Sequence, residues 1–385
     1  MNYLIVHGGG PTSVINASLY GVVKRLLKEK DTKHVYGAIG GIKAIYDEKY
    51  IDFSSISKFE IESLLITPGT ALGSSRYPLE EDDYEEISAK LNKQHIDVVF
   101  LNGGNGTMNT CGELAKHCKK YSIRVIGIPK TMDNDIAETD HSPGFGSAAN
   151  YIVNTVSEIC MDVKSLPIHV CIVETMGRNA GWLAASSSLS KTEFCDGPDL
   201  IYTPEFSFDE NEFLEEINKL NKKKKGIVVV VSEGLVDKNG NPIMPPIFES
   251  GRSIYYGDVS AHLSQIIINK LKIKARNEKP GLAGRASILY RSQSDLNEAI
   301  EVGKKAADAA ISGENAVMVG IQRESIENYN ISYPLIPVDK VMLYERKMPK
   351  DFLNEKGNWV SEKYIKWAKP IVDFKEIPYI SYNEN

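Results

Sequence analysis

Short apolar runs rich in valine and isoleucine alternate along the chain with longer amphipathic stretches. Such runs, bounded by polar or glycine-containing segments, are typical of strands buried on both faces of a parallel sheet. The runs are YLIVH (3–7), DVVFLN (97–102), RVIGIP (124–129), HVCIVET (169–175), LIYTPE (200–205), GIVVVVSEG (226–234) and AVMVGIQ (316–322).

The intervening stretches have the length of crossover helices. The pattern predicts helices over residues 13–28, 107–120, 144–164, 208–222 and 258–272. Strands alternating with such helices predict doubly wound α/β layers, and no solenoid-type repeat is present. Because 385 residues exceed what one core usually holds, we expect two Rossmann-like lobes.

Charge and composition narrow the class of protein. The formal net charge of -6 argues against a general affinity for nucleic acid. No apolar run approaches the roughly eighteen residues of a membrane span, and the apolar run after Met1 predicts a strand rather than a signal peptide. The five cysteines include no C-x-x-C pair and predict reduced thiols. We therefore expect a soluble cytoplasmic protein that binds neither nucleic acid nor membrane.

Three glycine-rich segments lie where predicted strands give way to helices. Gly8–Gly10 follow the first strand, GGNG (103–106) follows DVVFLN, and TPGTALGSSR (67–76) lies between them. Ligands collect at the carboxyl ends of parallel strands, where glycine lets backbone amides approach an anion. Neither the P-loop spacing nor the dinucleotide fingerprint is present. Two such turns on one sheet predict a phosphate-binding site.

The segment PKTMDND (129–135) ends the strand RVIGIP and carries candidate catalytic groups. If the backbone stays extended there, Thr131, Asp133 and Asp135 share one face. One carboxylate can accept the proton of an attacking alcohol and another can help to hold a divalent metal, while Lys130 neutralises phosphate charge. The alternative is an ordinary Asx-rich turn.

A third cluster, ETMGRNAG (174–181), also follows an apolar strand. Its glycines allow close approach of a ligand, and Arg178 can form a fork of hydrogen bonds with an oxyanion. Glu233 ends another strand and is a candidate for binding sugar hydroxyls. Arg276 and Arg285 flank NEKPGLAG and are candidates for binding a second phosphate. By itself the segment ETMGRNAG is also typical of a helix cap with a surface arginine, and single arginines such as Arg276 and Arg285 most often lie solvated on the surface.

In this order the motifs resemble the phosphofructokinase superfamily. The resemblance runs from GGGPTSVINAS (8–18) to about residue 320 and rests on the following segments: GTALGSSR, GGNGT, PKTMDND, TDHSPGFGSA, ETMGRNAGWLA, PEFSF and VSEG. It implies two α/β lobes with the site in the cleft between them. It also implies a homodimer or homotetramer in which one subunit completes the sugar site of its neighbour.

The resemblance implies a division of the chain into three parts. Residues 1–136, with part of 286–320, would bind the donor phosphates, and residues 137–285 would bind the sugar. Residues 321–385 would form a C-terminal extension that packs on the lobes.

Roles for individual residues also follow from the resemblance. Asp133 would be the general base on the acceptor hydroxyl, with Thr131, Asp135 and Arg178 as the other catalytic residues. The donor would meet Gly9, Gly10, Arg76, Gly104, Asn105, Gly106, Thr107 and Lys130. The sugar would meet Thr131, Met176, Gly177, Arg178, Glu233, Arg276 and Arg285. Mg²⁺ would be the cofactor, with Asp133 and Asn105 as its protein ligands.

Three positions depart from the family pattern. Asn105 stands where the family has a metal-binding aspartate, and a neutral amide is a poorer ligand for Mg²⁺. His169 stands where many relatives carry an arginine, and Leu282 stands where a histidine or tyrosine helps to hold the sugar phosphate. These changes leave a related sugar phosphate or a polyol open as the acceptor.

Two residues point to different donors. By the resemblance, Gly106 leaves room for a nucleotide, whereas Lys130 is typical of relatives that use pyrophosphate. We expect ATP in preference to pyrophosphate, and hence the glycolytic conversion of fructose 6-phosphate to fructose 1,6-bisphosphate. The alternatives are pyrophosphate-dependent transfer to the same or a different sugar or polyol, and a non-catalytic regulatory homologue.

Overall fold

The computed structural model describes residues 1–166, 169–250, 253–255 and 257–382. Residues 167–168, 251–252 and 256 of the predicted sugar lobe, and 383–385 of the predicted extension, lie outside the described residues. The strands are β1 (Asn2–His7), β2 (His34–Ala38), β3 (Tyr50–Asp52), β4 (Val98–Gly103), β5 (Arg124–Pro129), β6 (Val170–Thr175), β7 (Leu200–Tyr202), β8 (Ile227–Ser232), β9 (Phe248–Ser250), β10 (Ser253–Tyr255), β11 (Ala275–Glu278), β12 (Val317–Val319), β13 (Gln322–Arg323), β14 (Ile331–Ser332) and β15 (Leu335–Pro337).

The helices are α1 (Ile15–Leu26), α2 (Ala44–Asp47), α3 (Lys58–Ser63), α4 (Glu81–Lys93), α5 (Asn105–Cys118), α6 (Phe145–Ser165), α7 (Trp182–Ser186), α8 (Glu210–Asn221), α9 (Val259–Leu271), α10 (Ala283–Ala286), α11 (Gln293–Ile311) and α12 (Glu362–Val372). The five predicted helices, which are α1, α5, α6, α8 and α9, begin and end within two residues of the predicted positions. Short 3-10 turns lie at Phe53–Ser55, Leu64–Ile66, Lys119–Tyr121, Ser187–Ser190, Val338–Lys340 and Lys350–Phe352.

Each predicted apolar run forms a strand, and each predicted helix is present, so both sets of predictions are confirmed. The pattern did not predict the remaining helices, of which α11 is the longest. The buried face of this helix is built largely from alanines, which give a weak hydrophobic signal. Its start is nevertheless marked locally, because the Ser292 hydroxyl accepts a hydrogen bond from Asp295 N (3.2 Å) as an N-cap.

The described residues divide into two compact units. The first comprises Met1–Ser147 and Arg285–Arg346, and the second comprises Ala148–Gly284 and the chain from Lys347 onwards. The domain boundaries proposed from the sequence stay a prediction.

The first unit is built on a mixed sheet whose strands lie in the order β15-β12-β5-β4-β1-β2-β3. The central strands β12, β5, β4, β1 and β2 run parallel, and β15 and β3 join antiparallel at the two edges. Since β1 and β5 both flank β4, the segments that follow these three strands emerge side by side at one edge of the sheet.

Apolar cores lie on both faces of this sheet. Along β1, Leu4 and Val6 belong to a cluster that includes residues of α4 and α5, whereas Tyr3 and Ile5 belong to a cluster that includes residues of α1 and α11. Alternate side chains of a strand point to opposite faces, which explains why the whole run YLIV is buried. The predicted doubly wound α/β arrangement is therefore confirmed for this unit.

The second unit contains a parallel sheet in the order β11-β6-β8-β7. Its valine-rich strands pack with α8 and α9 in one buried cluster. The C-terminal helix α12 packs near α7, where Tyr364 Oη donates to Trp182 O (2.8 Å) and the Trp182 and Trp367 rings are 4.8 Å apart. Among the described helices, none has the length and apolar character needed to cross a membrane.

Candidate active site

Two of the glycine turns meet at the carboxyl ends of β1 and β4. His7 pairs with Asn102 in parallel register, and Gly8 N donates to Asn102 O (2.9 Å). Thr107, in the first turn of α5, fills the space between the turns. A Cβ on Gly8 would lie 2.4 Å from Thr107 Oγ1, and a Cβ on Gly103 would lie 2.1 Å from it. Both positions therefore require glycine, and the turns form one continuous backbone surface.

The segment TPGTALGSSR reaches the same edge of the sheet. Gly9 N donates to Ser75 O (3.1 Å), and Ser74 Oγ donates to Gly9 O (2.6 Å). Gly9 has a φ of 74°, in the left-handed region that glycine adopts without strain. These bonds bring Arg76, the next residue along, beside the first glycine turn.

Three cationic side chains converge on Gly10. Lys130 Nζ donates to Gly10 O, and Lys130 is only 3% exposed. A Cβ on Gly10 would lie 2.7 Å from Arg285 Nη1 and 3.5 Å from Arg76 Nη2. All four residues belong to the first unit. Positive charge gathered at the carboxyl ends of parallel strands suits the binding of a polyphosphate.

The charge on Lys130 depends on its neighbours. Burial lowers the pKa of Lys130 to about 8; Asp133 and Asp135 oppose this change, whereas Arg285 and Arg76 add to it. A bound anion would favour the protonated ammonium and raise this pKa again. Lys130, both arginines and both aspartates therefore interact electrostatically within one region of the first unit.

The PKTMDND segment is not extended, so the backbone on which the shared-face prediction depended is not formed. Thr131 Oγ1 accepts a hydrogen bond from Asp133 N (3.1 Å), and Asn134 has a left-handed φ of 56°. The Asp135 carbonyl accepts a hydrogen bond from Arg346 N (2.8 Å). The segment turns because side-chain oxygens of Thr and Asn readily bond to nearby amides. Both aspartates nevertheless lie close enough to Lys130 for their negative charges to oppose the lowering of its pKa by burial.

Asn105, at the start of α5, is the candidate that bears most directly on metal binding. Its Nδ2 donates to Asp135 O (3.2 Å), and its Oδ1 is buried without a hydrogen-bond partner among the described residues. No group of three or more His, Cys, Asp or Glu side chains in the described part of the chain is arranged to hold a metal ion. Mg²⁺ is commonly held by one or two carboxylates together with substrate phosphates. The unpartnered Asn105 Oδ1 is available as one oxygen ligand, and the role of Asp133 as a second ligand stays a prediction.

The candidate sugar-binding residues of the second unit gather around one turn. Glu233 Oε1 accepts hydrogen bonds from Gly177 N (3.2 Å) and Arg178 N (3.1 Å). Gly177 and Arg178 have positive φ angles of 138° and 50°. A Cβ on Gly234 would lie 1.8 Å from Arg178 O, so this position requires glycine. Burial raises the pKa of Glu233, and the two amide hydrogen bonds oppose that rise.

Two residues that the sequence analysis did not single out support the same turn. Glu205 Oε1 accepts a hydrogen bond from Gly181 N (2.9 Å), just beyond the turn. Lys279 Nζ pairs with the buried Glu174 carboxylate (2.6 Å), and Glu174 in turn accepts a hydrogen bond from Ser260 N (2.9 Å). Both residues lie within quoted motifs, PEFSF and NEKPGLAG, but their sequence positions do not indicate these partners.

The remaining candidates lie in different surroundings. Arg276 is exposed on β11, which pairs with β6. Arg285 was expected to bind the sugar. Its guanidinium instead lies beside Gly10, among the residues of the first unit that are candidates for binding the phosphate donor. Leu282 is 65% exposed, and the His169 carbonyl accepts a hydrogen bond from Ile227 N (2.9 Å) at the start of β6.

A doubly wound α/β unit with clustered cations and two aspartates at the carboxyl ends of its strands is typical of an enzyme that transfers phosphoryl groups. A family model described as phosphofructokinase matches residues 2–310. The pyrophosphate–fructose 6-phosphate 1-phosphotransferase of Rhodospirillum rubrum is 33% identical over 96% of this chain and 93% of its own length. The sulfofructose kinase of Alkalicoccus urumqiensis is 33% identical over 98% of this chain and 97% of its own length.

The fold agrees with the sequence comparison. The crystal structure of a pyrophosphate-dependent phosphofructokinase from Marinobacter aquaeolei superposes with a TM-score of 0.88, at 31% identity, and covers 99% of this chain and 94% of that one. The chain belongs to the phosphofructokinase family and is a phosphotransferase of that type. The resemblance and the fold class inferred from the sequence are confirmed. The preference for ATP finds no support in these relatives, and Mg²⁺, the oligomeric state and the cytoplasmic location stay predictions.

Proposed function

We propose that this protein transfers a phosphoryl group from pyrophosphate to the 1-hydroxyl of fructose 6-phosphate, giving fructose 1,6-bisphosphate and orthophosphate. The observation that carries the proposal is the buried Lys130, whose Nζ bonds to the Gly10 carbonyl between Arg76 and Arg285. Pyrophosphate here replaces ATP as the favoured donor.

The position of Lys130 favours the smaller donor. Its Nζ would lie 3.7 Å from a Cβ on Gly9, so the lysine side chain occupies space beside the first glycine turn. Pyrophosphate is compact and carries its charge on two phosphoryl groups only, which suits three cations grouped around one turn. The relatives named for pyrophosphate from R. rubrum and M. aquaeolei also favour this donor over ATP.

Asp133 is the proposed general base. Its carboxylate takes the proton of the acceptor hydroxyl while that oxygen forms a bond to the terminal phosphorus, and the bridging P–O bond breaks to release orthophosphate. Lys130, Arg76 and Arg285 neutralise the charge that collects on the leaving group. When bound, Mg²⁺ would neutralise further phosphate charge, with Asn105 Oδ1 and Asp133 as its protein ligands.

A second acceptor is favoured by the departures at His169 and Leu282. An exposed leucine replaces a residue that helps to hold the sugar phosphate in the family pattern. A sulfonate carries one negative charge where a phosphate carries nearly two at neutral pH, so it needs fewer cationic partners. Since one relative is named a sulfofructose kinase, a fructose derivative with a sulfonate on carbon 6 is the second candidate.

One grid of assays tests donor and acceptor together. Purified protein with Mg²⁺ is given pyrophosphate or ATP, each with fructose 6-phosphate, 6-sulfofructose, free fructose or a polyol, and the products are identified by phosphorus NMR. Turnover of pyrophosphate with fructose 6-phosphate is expected. Turnover with ATP but not with pyrophosphate would contradict the proposed donor. Activity with 6-sulfofructose but with no other acceptor would show that the second candidate is the acceptor. Absence of turnover throughout the grid would favour a regulatory homologue.

Two variants test the residues. Asp133→Asn is expected to lower kcat by about 10²–10⁴-fold, the usual contribution of a positioned base. Lys130→Met is expected to lower kcat/KM for pyrophosphate by roughly 10²–10³-fold, as loss of a preorganised cationic partner does. Lys116→Met, which removes an exposed lysine paired with Glu113 on α5, is the matched control and should retain activity. Unchanged kcat in Asp133→Asn would remove Asp133 from its role.

A further inference from the structure

His141 is a buried, charged histidine that the proposed mechanism does not use. Its side chain is fully buried, with Nδ1 2.8 Å from Asp140 Oδ2 and Nε2 2.6 Å from Glu298 Oε2. An ionised carboxylate at each ring nitrogen is satisfied only when both nitrogens carry protons, which favours the imidazolium form. Burial lowers the pKa of His141, but the negative charges of Glu298 and Asp140 and their hydrogen bonds raise it overall to about 9.

The partners of His141 are themselves held in place. Tyr329 Oη donates to Glu298 Oε1, and Arg323 Nη2 lies 3.3 Å from Asp140 Oδ2. The Arg323 guanidinium lies over the Tyr329 ring at 4.6 Å, and the charge of Arg346 also acts on Asp140 and Arg323. Opposite charges therefore alternate from Arg323 through Asp140 and His141 to Glu298, which compensates for the burial of each.

This network anchors the chain that folds back on the catalytic segment. Asn134, the residue between the two aspartates, accepts a hydrogen bond on Oδ1 from Ser142 N (3.0 Å). Thr131 N donates to Pro143 O (3.1 Å). Residues on both sides of Asp133 are thus bonded to the two residues that follow His141.

Helix α11 holds the far side of the same chain. Asp295, one turn before Glu298, accepts hydrogen bonds from Gly144 N (2.8 Å), Ser147 N (2.9 Å) and Ser147 Oγ (2.5 Å). The helix also packs tightly on α1, which follows the Gly8–Gly10 turn, and Gly303 allows the close contact. Thus one helix contacts the chain next to Asp133 and the helix that follows the donor turn.

We propose that His141 is a positioning residue for Asp133: its ion pair with Glu298 fixes residues 139–147 on α11, and these residues hold the turn that carries the base. The inference rests on the proposed function, because it assumes that Asp133 accepts the proton of the acceptor. It assigns no contact between His141 and substrate.

The test uses full-length protein with His141→Gln. Displacement of a base by about 1 Å can lower the rate about 10²-fold, so we expect kcat to fall roughly 10–100-fold while KM for both substrates changes by less than about threefold. The single variant leaves the buried Glu298 carboxylate without its histidine partner. The double variant His141→Gln/Glu298→Gln removes that charge as well, so part of the lost kcat should return. Tyr329→Phe, which removes one hydroxyl, should cause a smaller loss of kcat and remain folded. His34→Gln removes an exposed histidine–aspartate pair and is the control.

Amide hydrogen exchange supplies a readout that does not depend on turnover. In His141→Gln, exchange in residues 131–147 should increase, whereas exchange in β1 and β4 should stay as in the wild type. An unchanged kcat, a loss confined to KM, or increased exchange spread over the whole unit would overturn the proposal. If the wild type turns over no sugar, the proposed function fails, and the exchange measurement alone then decides whether His141 holds the Asp133 turn.

Discussion

The Lys130 ammonium bonds to the carbonyl oxygen of Gly10, 120 residues earlier in the chain. The two residues follow β5 and β1, which lie on either side of β4 in the sheet. This bond joins the first glycine turn to the segment that carries Asp133. The positive charge of the proposed donor site and the proposed base thus lie at the same edge of one sheet.

The charge of Lys130 should determine the pH dependence of donor capture. Since burial lowers the pKa of Lys130 to about 8, the free enzyme loses this positive charge as the pH rises through that value. We expect kcat/KM for pyrophosphate, which reports groups of the free enzyme, to fall above about pH 8. Steady-state rates from pH 6 to 10 measure this. The same profile in Lys130→Met corrects for ionisation of pyrophosphate, and an identical alkaline fall in that variant would exclude Lys130 as its cause.

Aspartate at position 106 should discriminate between donors. A Cβ on Gly106 would meet no heavy atom within 4 Å, so the fold accommodates a side chain there. The aspartate side chain would occupy the room that the resemblance assigns to a nucleotide, whereas pyrophosphate has no nucleoside to place there. We expect Gly106→Asp to lower kcat/KM for ATP at least about tenfold more than for pyrophosphate. Gly106→Ala separates the effect of charge from that of size. Equal losses for both donors would contradict this interpretation of position 106.

Ionisation of His141 should make the free energy of unfolding depend on pH. Its pKa in the folded protein is raised to about 9 from 6.5, so its stabilisation is complete below pH 6.5 and is lost as the pH rises through about 9. Lys130 has the opposite dependence, because its lowered pKa makes its burial less costly as the pH rises from about 8. The difference in unfolding free energy between wild type and His141→Gln isolates the histidine.

We expect that difference to be a few kcal/mol at pH 6, on the order of 1.4 kcal/mol per unit of raised pKa, and to shrink above pH 9. Urea unfolding at pH 6, 8 and 10 measures it. A difference that does not vary with pH would show that the imidazolium is not the stabilising form.

Close packing between α1 and α11 should make Gly303 intolerant of a methyl group. A Cβ on Gly303 would lie 2.1 Å from the Ser18 carbonyl oxygen, so the two helices would have to separate. We expect Gly303→Ala to lower the free energy of unfolding by roughly 1–3 kcal/mol. In contrast, Gly106→Ala in open space should leave stability unchanged or raise it by up to about 1 kcal/mol, since alanine favours helix. Equal effects of the two substitutions would contradict the packing argument.

Local patterns were sufficient for the buried strands β1, β4, β5, β6, β7, β8 and β12 and for the helices α1, α5, α6, α8 and α9. The runs YLIVH and GIVVVVSEG predicted β1 and β8 because apolar side chains on consecutive positions need two buried faces. Helix α11 was not predicted, because its buried alanines, such as Ala306 and Ala310, differ little in hydropathy from a neutral background. For residues 131–135 the sequence left an extended segment and an Asx-rich turn open, and the chain turns there because of side-chain hydrogen bonds.

By itself the sequence determined the periodicity of the elements, the positions of the glycine turns and the family that the motifs resemble. Only the tertiary structure decided which charged groups meet: Lys130 with Arg285 at Gly10, and His141 with Glu298 on a helix that the pattern did not predict. The physical reason is that periodicity follows from each residue's own chemistry and nearest neighbours. Contacts between distant residues depend instead on the order of strands in the sheet and on the packing of helices against it.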